Sequence, residues 1–439
     1  MEVTYLADLQ KWRVYTMKTN LLERKKVIVV GGGFAGIQLV RKLDPRYFNV
    51  LLIDKLNHHQ FQPLFYQVAT SQIEPSSISF PLRNIFNYKK QLQIRMAEVE
   101  SVDQISNTIQ TTIGSFSYDY LVLAVGCKTN FFGNQNIEKN ALTLKSTYDA
   151  ITIRNHILET FEKIISSSEE ERESLFNLVI VGAGPTGVEL AGAFAEIKKN
   201  VLPRDYKGID FSRFKIFLIE GSKNTLNNMS DKAKSASKAY LTKMGVEILT
   251  EKIVKDFDGQ KVILNDGNVI HTKTVIWAAG VTGNIVTGFS SDILINTNRF
   301  KVDRQNKLIG SKNVYAVGDI AMMETPSYPK GHPQLANVAI NQAKLLAKNL
   351  KSLQQEGRQK DFEYRDLGSM ATVGTNKAVV DLPFLHFTGY FAWLTWMFLH
   401  LMLILSVRNK LIIFINWAWA YITKDTSLRL ILRPSKKDK

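Results

Sequence analysis

The sequence predicts an α/β fold, and two stretches of the chain that share one pattern carry this prediction. In each stretch, a short run of β-branched and aliphatic residues, typical of a buried parallel strand, leads into a glycine cluster. A segment with apolar residues at helical spacing follows each cluster. A third observation is an uncharged, aromatic-rich stretch near the C-terminus, which predicts an additional helical region. The chain of 439 residues is long enough for two or three domains.

The first stretch reads VIVVGGGFAG and continues as IQLVRKL, with Gly31, Gly33 and Gly36 in the G-x-G-x-x-G spacing. The first glycine permits a tight turn, the second lets the backbone approach a pyrophosphate, and the third lets the helix pack closely on the strand. The pyrophosphate then meets the free N–H groups at the helix N-terminus. The next strand, NVLLID, ends in Asp54, where an acid can bind a ribose hydroxyl.

The second stretch, LVIVGAGPTG, repeats this spacing with Gly182, Gly184 and Gly187, and the later strand KIFLIE ends in Glu220. An acid at Glu220 would repel a 2′-phosphate, so NADH is favoured over NADPH there. One glycine cluster alone is as often an ordinary tight turn. Because strand, helix and acid all occur twice, the sequence predicts two Rossmann-like dinucleotide-binding domains.

Both units also end alike. The strand in SFSYDYLVLAVG leads into Gly126, and the strand in HTKTVIWAAG leads into Gly280. A third strand, in KNVYAVGDIA, leads into Gly318 and Asp319 and is followed by a helical pattern that starts near Pro333. The second unit is therefore interpreted as an insertion into the first. The predicted bounds are 1–24 for an N-terminal extension, 25–145 with 284–355 for the first domain, 146–283 for the second and 356–439 for a C-terminal membrane-anchoring region, with SSSEEERES as a linker.

Composition excludes several classes of protein. The single cysteine, Cys127, rules out an intrachain disulfide and any chemistry that needs a thiol pair. His58 and His59 are adjacent, so helical metal-ligand spacing is absent and no metal site is predicted. The formal net charge is +16, but no nucleic-acid-binding motif accompanies it, and no nucleic-acid partner is expected. The basic tail follows a strongly apolar stretch, which favours attraction to an anionic lipid surface.

That apolar stretch runs over residues 382–407 without Lys, Arg, Asp or Glu. By length it could span a membrane, but Pro383 and Gly389 interrupt it. Helices that lie in one leaflet are favoured over a span, and a buried core helix stays a third interpretation. Four tryptophans suit the membrane interface, namely Trp393, Trp396, Trp417 and Trp419.

Taken in order, the motifs resemble those of the type II NADH:quinone oxidoreductases, single-subunit respiratory dehydrogenases that do not pump protons. The resemblance extends from residue 25 to the C-terminus, and NHHQFQPLFYQVAT is its most specific part. It implies FAD in the first domain, NADH in the second, and a membrane quinone, menaquinone or ubiquinone, as the acceptor. It also implies peripheral or monotopic attachment at the cytoplasmic face of the inner (plasma) membrane, and it leaves a homodimer open.

Residue by residue, the resemblance implies two cofactor-binding sets and one catalytic set. The cofactor-binding residues are Gly31, Gly33, Gly36, Asp54, Gly126, Gly318 and Asp319 for FAD and Gly182, Gly184, Gly187, Glu220 and Gly280 for NADH. The catalytic candidates are Glu189, which matches a family glutamate at the nicotinamide side, Lys377, which matches a family lysine near the proposed quinone channel, and the quinone-side residues Asn337, Asn341 and Gln342.

Each catalytic candidate has a plainer alternative. Glu189 could merely complement a helix dipole, and Lys377 could be an exposed lysine. This sequence departs from the family's quinone-side pattern A-Q-x-A-x-Q, because Asn337 and Asn341 stand in place of both glutamines. Asparagine keeps the amide but is one methylene shorter, so a hydrogen bond to a quinone would need a water or a shift. Gln342 could compensate only if the helix rotated.

The expected chemistry is hydride transfer from NADH to the flavin, followed by electron transfer to the quinone. Two other enzyme classes stay open, an NADH oxidase with a non-quinone acceptor and a ferredoxin-type reductase, although the apolar C-terminal region argues against both. A flavin-bearing redox sensor that binds NADH and signals by conformation is the alternative from another class.

Overall fold

The structure is a computed structural model, and it describes residues 23–426 and 428–432. The predicted N-terminal extension lies outside the described residues except for its last two positions. The final basic residues of the chain also lie outside them.

Twelve α-helices are described, and most follow the predicted helical patterns. They are α1 (Phe34–Lys42), α2 (Phe65–Ala69), α3 (Leu82–Ile85), α4 (Gln135–Asn140), α5 (Thr147–Ser166), α6 (Glu169–Leu175), α7 (Pro185–Asn200), α8 (Leu202–Asp205), α9 (Asp231–Lys243), α10 (Ala336–Gln354), α11 (Tyr390–Leu403) and α12 (Val407–Thr423).

The described strands are short, and several hold only three residues. They are β1 (Lys25–Val30), β2 (Phe48–Asp54), β3 (His58–Gln60), β4 (Ser79–Pro81), β5 (Leu92–Met96), β6 (Val99–Asp103), β7 (Thr108–Thr111), β8 (Gly114–Ser117), β9 (Tyr120–Leu123), β10 (Cys127–Thr129), β11 (Leu142–Thr143), β12 (Asn177–Val181), β13 (Lys215–Glu220), β14 (Val246–Thr250), β15 (Val254–Phe257), β16 (Lys261–Leu264), β17 (Val269–His271), β18 (Thr274–Trp277), β19 (Val281–Gly283), β20 (Phe300–Val302), β21 (Val314–Ala316), β22 (Ala321–Met323), β23 (Ser369–Thr372), β24 (Ala378–Leu382) and β25 (Leu385–Thr388).

Contacts divide the chain into two units. Unit 1 comprises the residues up to His59, Pro81–Cys127 and Thr282–Tyr364, and unit 2 comprises Gln60–Phe80, Lys128–Val281 and the residues from Arg365 onward. These ranges group the predicted second domain and the C-terminal region together. The domain bounds given from the sequence stay a prediction.

Unit 1 is built on a five-stranded parallel sheet in the order β21-β9-β1-β2-β5. Its central strand, β1, is buried and carries the first glycine cluster at its carboxyl end. Helices α1 and α10 pack against each other in this unit. The strands β6, β7 and β8 form a separate antiparallel sheet.

Unit 2 repeats the arrangement with a five-stranded parallel sheet in the order β11-β18-β12-β13-β14. Strand β12, which precedes the second glycine cluster, pairs with β13 on one side and β18 on the other. In unit 1, β1 precedes the first glycine cluster and pairs in the same way with β2 and β9. The predicted α/β fold with two Rossmann-like cores is confirmed.

The C-terminal part of unit 2 departs from the predicted helical region. The apolar stretch begins in a three-stranded antiparallel sheet, β23-β24-β25, and only then forms α11 and α12. Among the described residues, no helix combines the length and the apolar character needed to cross a membrane.

Two smaller predictions were wrong. The SSSEEERES segment is not a linker, because Ser168 and Glu171 form a capping box that begins α6. The helix predicted from Pro333 begins three residues later, at Ala336.

Candidate functional site

The first glycine cluster forms the tight turn expected between β1 and α1. Gly31 has a φ of +107°, which favours glycine, and an added Cβ there would collide with the Ala124 carbonyl. A Cβ on Gly36 would collide with the Gly31 carbonyl oxygen. Gly33 differs, because an added Cβ would meet no atom within 4 Å. The protein therefore leaves open the position at which a pyrophosphate would approach the backbone.

Asp54 lies at the end of β2, beside this turn. Its Oδ2 accepts a hydrogen bond from the Gly32 N–H at 2.5 Å, and its Oδ1 accepts one from the Leu56 N–H at 2.7 Å. Burial raises the pKa of the carboxyl, and the two N–H donors oppose that shift. The carboxylate is thus held in one orientation with lone pairs left for a ribose hydroxyl.

The second glycine cluster repeats this geometry in unit 2. Gly182 has a φ of +101°, a Cβ on Gly187 would collide with the Gly182 carbonyl oxygen, and Gly184 faces open space. Glu220 takes the place of the aspartate: its Oε2 accepts the Ala183 N–H at 2.7 Å and its Oε1 accepts the Ser222 N–H at 2.8 Å. Both predicted acids therefore pair with the turn that follows their neighbouring strand.

A cavity of about 670 Å³ opens beside the second cluster. The first turn of α7 contributes Thr186 to its wall, and the end of β18 contributes Trp277 and Gly280. Tyr66 and Glu189 line the same cavity. The cavity lies where a dinucleotide bound to the Gly182–Gly187 turn would place its distal ring, at the carboxyl ends of the strands.

A second cavity, of about 800 Å³ including the space open to solvent, also borders Glu189. Tyr66 and Glu189 line both cavities, so these two side chains form a shared wall. Helices α11 and α12 supply the aromatic part of the second cavity through Trp393, Trp396 and Trp417. Concave, mainly apolar walls with a few polar groups suit a flat organic ligand.

A buried hydrogen-bond chain runs along the shared wall. The Trp417 indole donates to Gln67 Oε1 at 2.8 Å, and the Gln67 amide donates to the Tyr66 hydroxyl at 2.9 Å. The Tyr66 hydroxyl and Thr372 Oγ1 are 3.1 Å apart, and the Thr372 N–H points at Glu189 Oε1 from 3.4 Å. The chain therefore links α12 to the acid on α7.

Glu189 is buried, and its burial raises the pKa of the carboxyl to about 8. The Thr372 N–H and the nearby Trp396 indole partly oppose this shift. Burial likewise raises the pKa of Tyr66. At neutral pH both side chains therefore hold their protons between the two cavities.

In unit 1, Gly318 and Asp319 form the turn after β21. The Gly318 N–H donates to Gln342 Oε1 at 2.8 Å, and Gln342 is buried. Arg299 Nε donates to the Asp319 carbonyl oxygen at 3.0 Å, and Cys127 Sγ lies 3.4 Å from the same oxygen. The structure thus brings the predicted Gly318–Asp319 turn and the predicted Gln342 together through a hydrogen bond within the protein.

The remaining candidates are more dispersed. Asn341 donates to Asn337 through their side-chain amides at 3.3 Å, so the two asparagines pair with each other on α10. Lys377 is half-buried in the β23–β24 hairpin and lines neither cavity of unit 2. Gly126 has a φ of +66° and faces open space at the end of β9.

Sequence reasoning missed the polar and aromatic residues of the shared wall. Tyr66 and Gln67 belong to the NHHQFQPLFYQVAT motif, whose sequence alone indicates no role for either residue. The expectation of an interfacial position is wrong for Trp396 and Trp417, which are buried in the protein, whereas Trp419 is exposed. Among the described residues, no group of histidines, cysteines or acids could hold a metal ion.

Comparison with known proteins agrees with the duplicated fold. Residues 25–343 match the family described as "Pyridine nucleotide-disulphide oxidoreductase", and residues 367–424 match the "NDH2 C-terminal domain". The type II NADH:quinone oxidoreductase Ndh of Mycobacterium tuberculosis is 32% identical over 416 residues, which cover 91% of this chain and 89% of that protein. The type II NADH:quinone oxidoreductase of Staphylococcus aureus is 26% identical, over 81% of this chain and 89% of its own.

Among solved structures, NDH2 of Plasmodium falciparum in complex with NADH has a TM-score of 0.86 at 23% identity, and the match covers 94% of this chain and 100% of that chain. The fold and the paired glycine turns therefore define a two-dinucleotide oxidoreductase of the pyridine nucleotide-disulphide oxidoreductase family. Within that class, the chain belongs to the type II NADH:quinone oxidoreductases.

Proposed function

We propose that the protein is an FAD-dependent NADH dehydrogenase that passes electrons from NADH to a membrane quinone without pumping protons. The observation that carries this proposal is the wall shared by the two cavities that Glu189 borders. A reduced nicotinamide and a quinone each need a flat pocket, and Glu189 and Tyr66 line both pockets. When bound, FAD supplies the chemistry: it accepts a hydride from NADH and yields electrons to the quinone.

The residues present fit both cofactors. For FAD, the open position at Gly33 would admit the pyrophosphate, and Asp54 would bind a ribose hydroxyl. The Gly318–Asp319 turn, held by Gln342, would meet the middle of the molecule. For NADH, Gly184 and Glu220 would perform the corresponding roles. Gln342 accepts the Gly318 N–H, which favours a role in positioning Gly318 over direct contact with a quinone.

The protein itself contributes a proton donor and a cavity whose walls can hold the quinone ring. Reduction of a quinone to a quinol takes up two electrons and two protons. The hydride of NADH accounts for both electrons and one proton, so one further proton has to be supplied. The Glu189 carboxyl holds its proton up to a pH of about 8, and the Tyr66 hydroxyl is kept neutral by burial. We therefore propose Glu189 as a proton donor on the quinone side, with Tyr66 and Gln67 as the groups that orient the ring. Asn337 and Asn341 stay proposed quinone-side residues and Lys377 a proposed channel residue.

Rapid mixing of the purified, lipid-reconstituted holoenzyme with NADH tests this proposal. NADH is expected to bleach the flavin absorbance, and a ubiquinone or menaquinone analogue is expected to restore it. Steady-state turnover against both quinones would then identify the acceptor. Bleaching that no quinone reverses would contradict the quinone proposal and favour the redox sensor, while reversal by oxygen alone would favour an NADH oxidase.

Glu220 is expected to make the enzyme prefer NADH over NADPH, because its carboxylate lies where a 2′-phosphate would have to bind. Wild-type kcat/KM for NADH should exceed that for NADPH by at least about tenfold, which corresponds to roughly 1.4 kcal/mol. The variant Glu220→Gln removes the charge and should narrow this ratio. Equal kcat/KM values for the two dinucleotides in the wild type would contradict the assignment.

We propose that unit 2 attaches the protein to a lipid surface through α11 and α12. Large apolar side chains on these helices are exposed, with Phe391, Phe398 and Ile415 as examples. Exposed apolar patches of this kind mark interaction surfaces. The net charge of +16 suits the anionic leaflet on the cytoplasmic side, where the family resemblance also locates the enzyme.

Paired substitutions on this surface should release the protein from vesicles that contain anionic lipid. Phe398 and Ile415 are each 62% exposed, and burying such a side chain in a bilayer is worth roughly 1.5–3 kcal/mol. The double variant Phe398→Asp/Ile415→Asp is expected to lower vesicle partitioning, measured by co-sedimentation, about 100-fold. The control is Ile105→Asp in unit 1, where Ile105 is 97% exposed. An equal loss in the control variant would refute α11 and α12 as the attachment surface.

A further inference from the structure

The cavity beside the second glycine cluster contains a lysine to which the proposed reaction gives no role. Lys145 lies between β11 and α5, is half-buried, and lines this cavity together with Glu189 and Trp277. Its Nζ makes no ion pair with any acid of the described residues. The ammonium group is thus a positive charge in the cavity wall that no carboxylate contacts directly.

The chain around Lys145 is fixed through its backbone and not through the lysine side chain. The Lys145 N–H donates to Asp149 Oδ2 at 2.8 Å, and the Thr143 hydroxyl donates to the same oxygen at 3.0 Å. Ser146 caps α5, because its hydroxyl oxygen accepts the Asp149 N–H at 3.0 Å. Asp149, the acid next to this turn, is therefore engaged at the start of the helix, and the Lys145 side chain is left to the cavity.

At neutral pH, Lys145 is the only charged side chain among the described residues that line this cavity. Two other ionisable groups, Glu189 and Tyr66, line it, and burial keeps the protons on both. The polar remainder is uncharged, with Gln62 and Thr129 as examples. Salt screens a partly buried charge less than a fully exposed one, so its effect on a nearby ligand is larger. The cavity therefore distinguishes a neutral ligand from a cationic one.

NADH and NAD⁺ differ in the charge of the ring that this cavity would hold. The reduced nicotinamide ring is neutral, and the loss of a hydride, with its two electrons, leaves the ring with a positive charge. The phosphates and the adenosine are the same in both forms. A fixed cation beside the ring would therefore repel the oxidised product and leave the binding of the reduced substrate nearly unchanged.

We propose that Lys145 weakens the binding of NAD⁺ relative to NADH and so favours the exchange of product for substrate. This selection between the oxidised and the reduced dinucleotide is separate from the selection between NADH and NADPH, which involves Glu220. The role of Lys145 rests on the proposed function, because it requires the nicotinamide ring to enter this cavity. Lys145 takes no part in the hydride transfer, in which the ring gives its hydride to the flavin.

Calorimetric titration of the oxidised, full-length holoenzyme tests this role with three probes. NAD⁺ carries the cationic ring, the 1,4,5,6-tetrahydro form of NAD carries a neutral ring that gives no hydride, and ADP-ribose carries no ring. In Lys145→Met, NAD⁺ should bind about tenfold more tightly than in the wild type, and the affinities for the other two probes should change by less than about threefold. Lys145→Arg keeps the charge and should retain the wild-type affinities. Lys238→Met, which removes an exposed lysine from α9, should retain them too.

Steady-state kinetics give a second readout, because the inhibition constant of NAD⁺ against NADH should also fall about tenfold in Lys145→Met. Flavin content and Tm report whether this variant is folded, and Lys145→Gln, which removes the charge but keeps a polar side chain, replaces it if it is not.

Two results would overturn the role of Lys145. Weaker binding of all three probes in Lys145→Met would indicate contact with the phosphates, and unchanged binding of all three would show that the charge has no effect on the ring. In both cases NADH would still reduce the flavin of the wild type, so the proposed function would stand. A wild-type protein that binds none of the probes would instead contradict the proposed NADH site and the role of Lys145 with it.

Discussion

Replacing Gly184 with alanine is expected to give a folded, yellow protein that NADH no longer reduces. The backbone at Gly184 has a φ of −70°, which alanine adopts freely, and an added Cβ would meet no protein atom within 4 Å. The methyl group would instead occupy the space through which a pyrophosphate approaches the turn. KM for NADH should rise at least about 100-fold, which corresponds to about 2.7 kcal/mol.

The matched variant is Gly33→Ala in unit 1, where the φ of −76° and the open surroundings are nearly the same. This variant should fold but lose bound flavin, whereas Gly184→Ala should keep it. The measurements are flavin content after purification, Tm, and the rate of flavin bleaching by NADH. Loss of flavin in Gly184→Ala, or normal NADH kinetics in it, would refute the assignment of the second turn to NADH.

Replacing Glu189 with glutamine is expected to impair the quinone half-reaction much more than the NADH half-reaction. Glutamine preserves the shape of the shared wall but has no acidic proton to give. General acid catalysis typically contributes about 10²–10⁴-fold, so kcat with a quinone should fall about 100-fold. The rate of flavin bleaching by NADH, measured by rapid mixing, should change by less than about threefold. Equal losses in both half-reactions would instead indicate a structural role for Glu189.

The pH dependence of turnover and stability in the wild-type protein should also reflect the Glu189 proton. The pKa of Glu189 is raised from 4.5 to about 8, so kcat with a quinone should fall as the pH rises through about 8. Because the folded protein keeps this proton longer than the unfolded chain does, the free energy of unfolding should decline between pH 4.5 and about 8. Glu189→Gln should lack this contribution to both profiles. A wild-type kcat that stays constant across this range would contradict the proton-donor role.

The dinucleotide turns could be predicted from the sequence because their chemistry is local. A glycine at the position of Gly31 or Gly182 is required by a left-handed φ, and that requirement is visible in the spacing alone. The acids at Asp54 and Glu220 could be located from the strands that they end. Their hydrogen bonds to the N–H groups of the turns could not, since those depend on how neighbouring strands align.

The wall between the two cavities could not be predicted, because it is assembled from distant segments. Tyr66, Glu189 and Trp396 come from three elements that meet only in the folded unit. Hydropathy also failed to separate Trp396, which is buried in the protein, from Trp419, which is exposed, because both lie in apolar, aromatic-rich helices. The helix α6 is a different case, because the S-x-x-E signature of its capping box, Ser168 to Glu171, is visible in the sequence and predicts a helix start there.

A single carboxyl group borders both cavities, so the two ligands proposed for them would be thermodynamically linked through its protonation. A ligand in either cavity that excludes water from Glu189 would further disfavour its charged form, and so alter the proton affinity that the other ligand experiences. Linkage is reciprocal, so each ligand would change the affinity of the other by the same factor. Under the proposed function, the cooperativity between dinucleotide and quinone would then vary with pH.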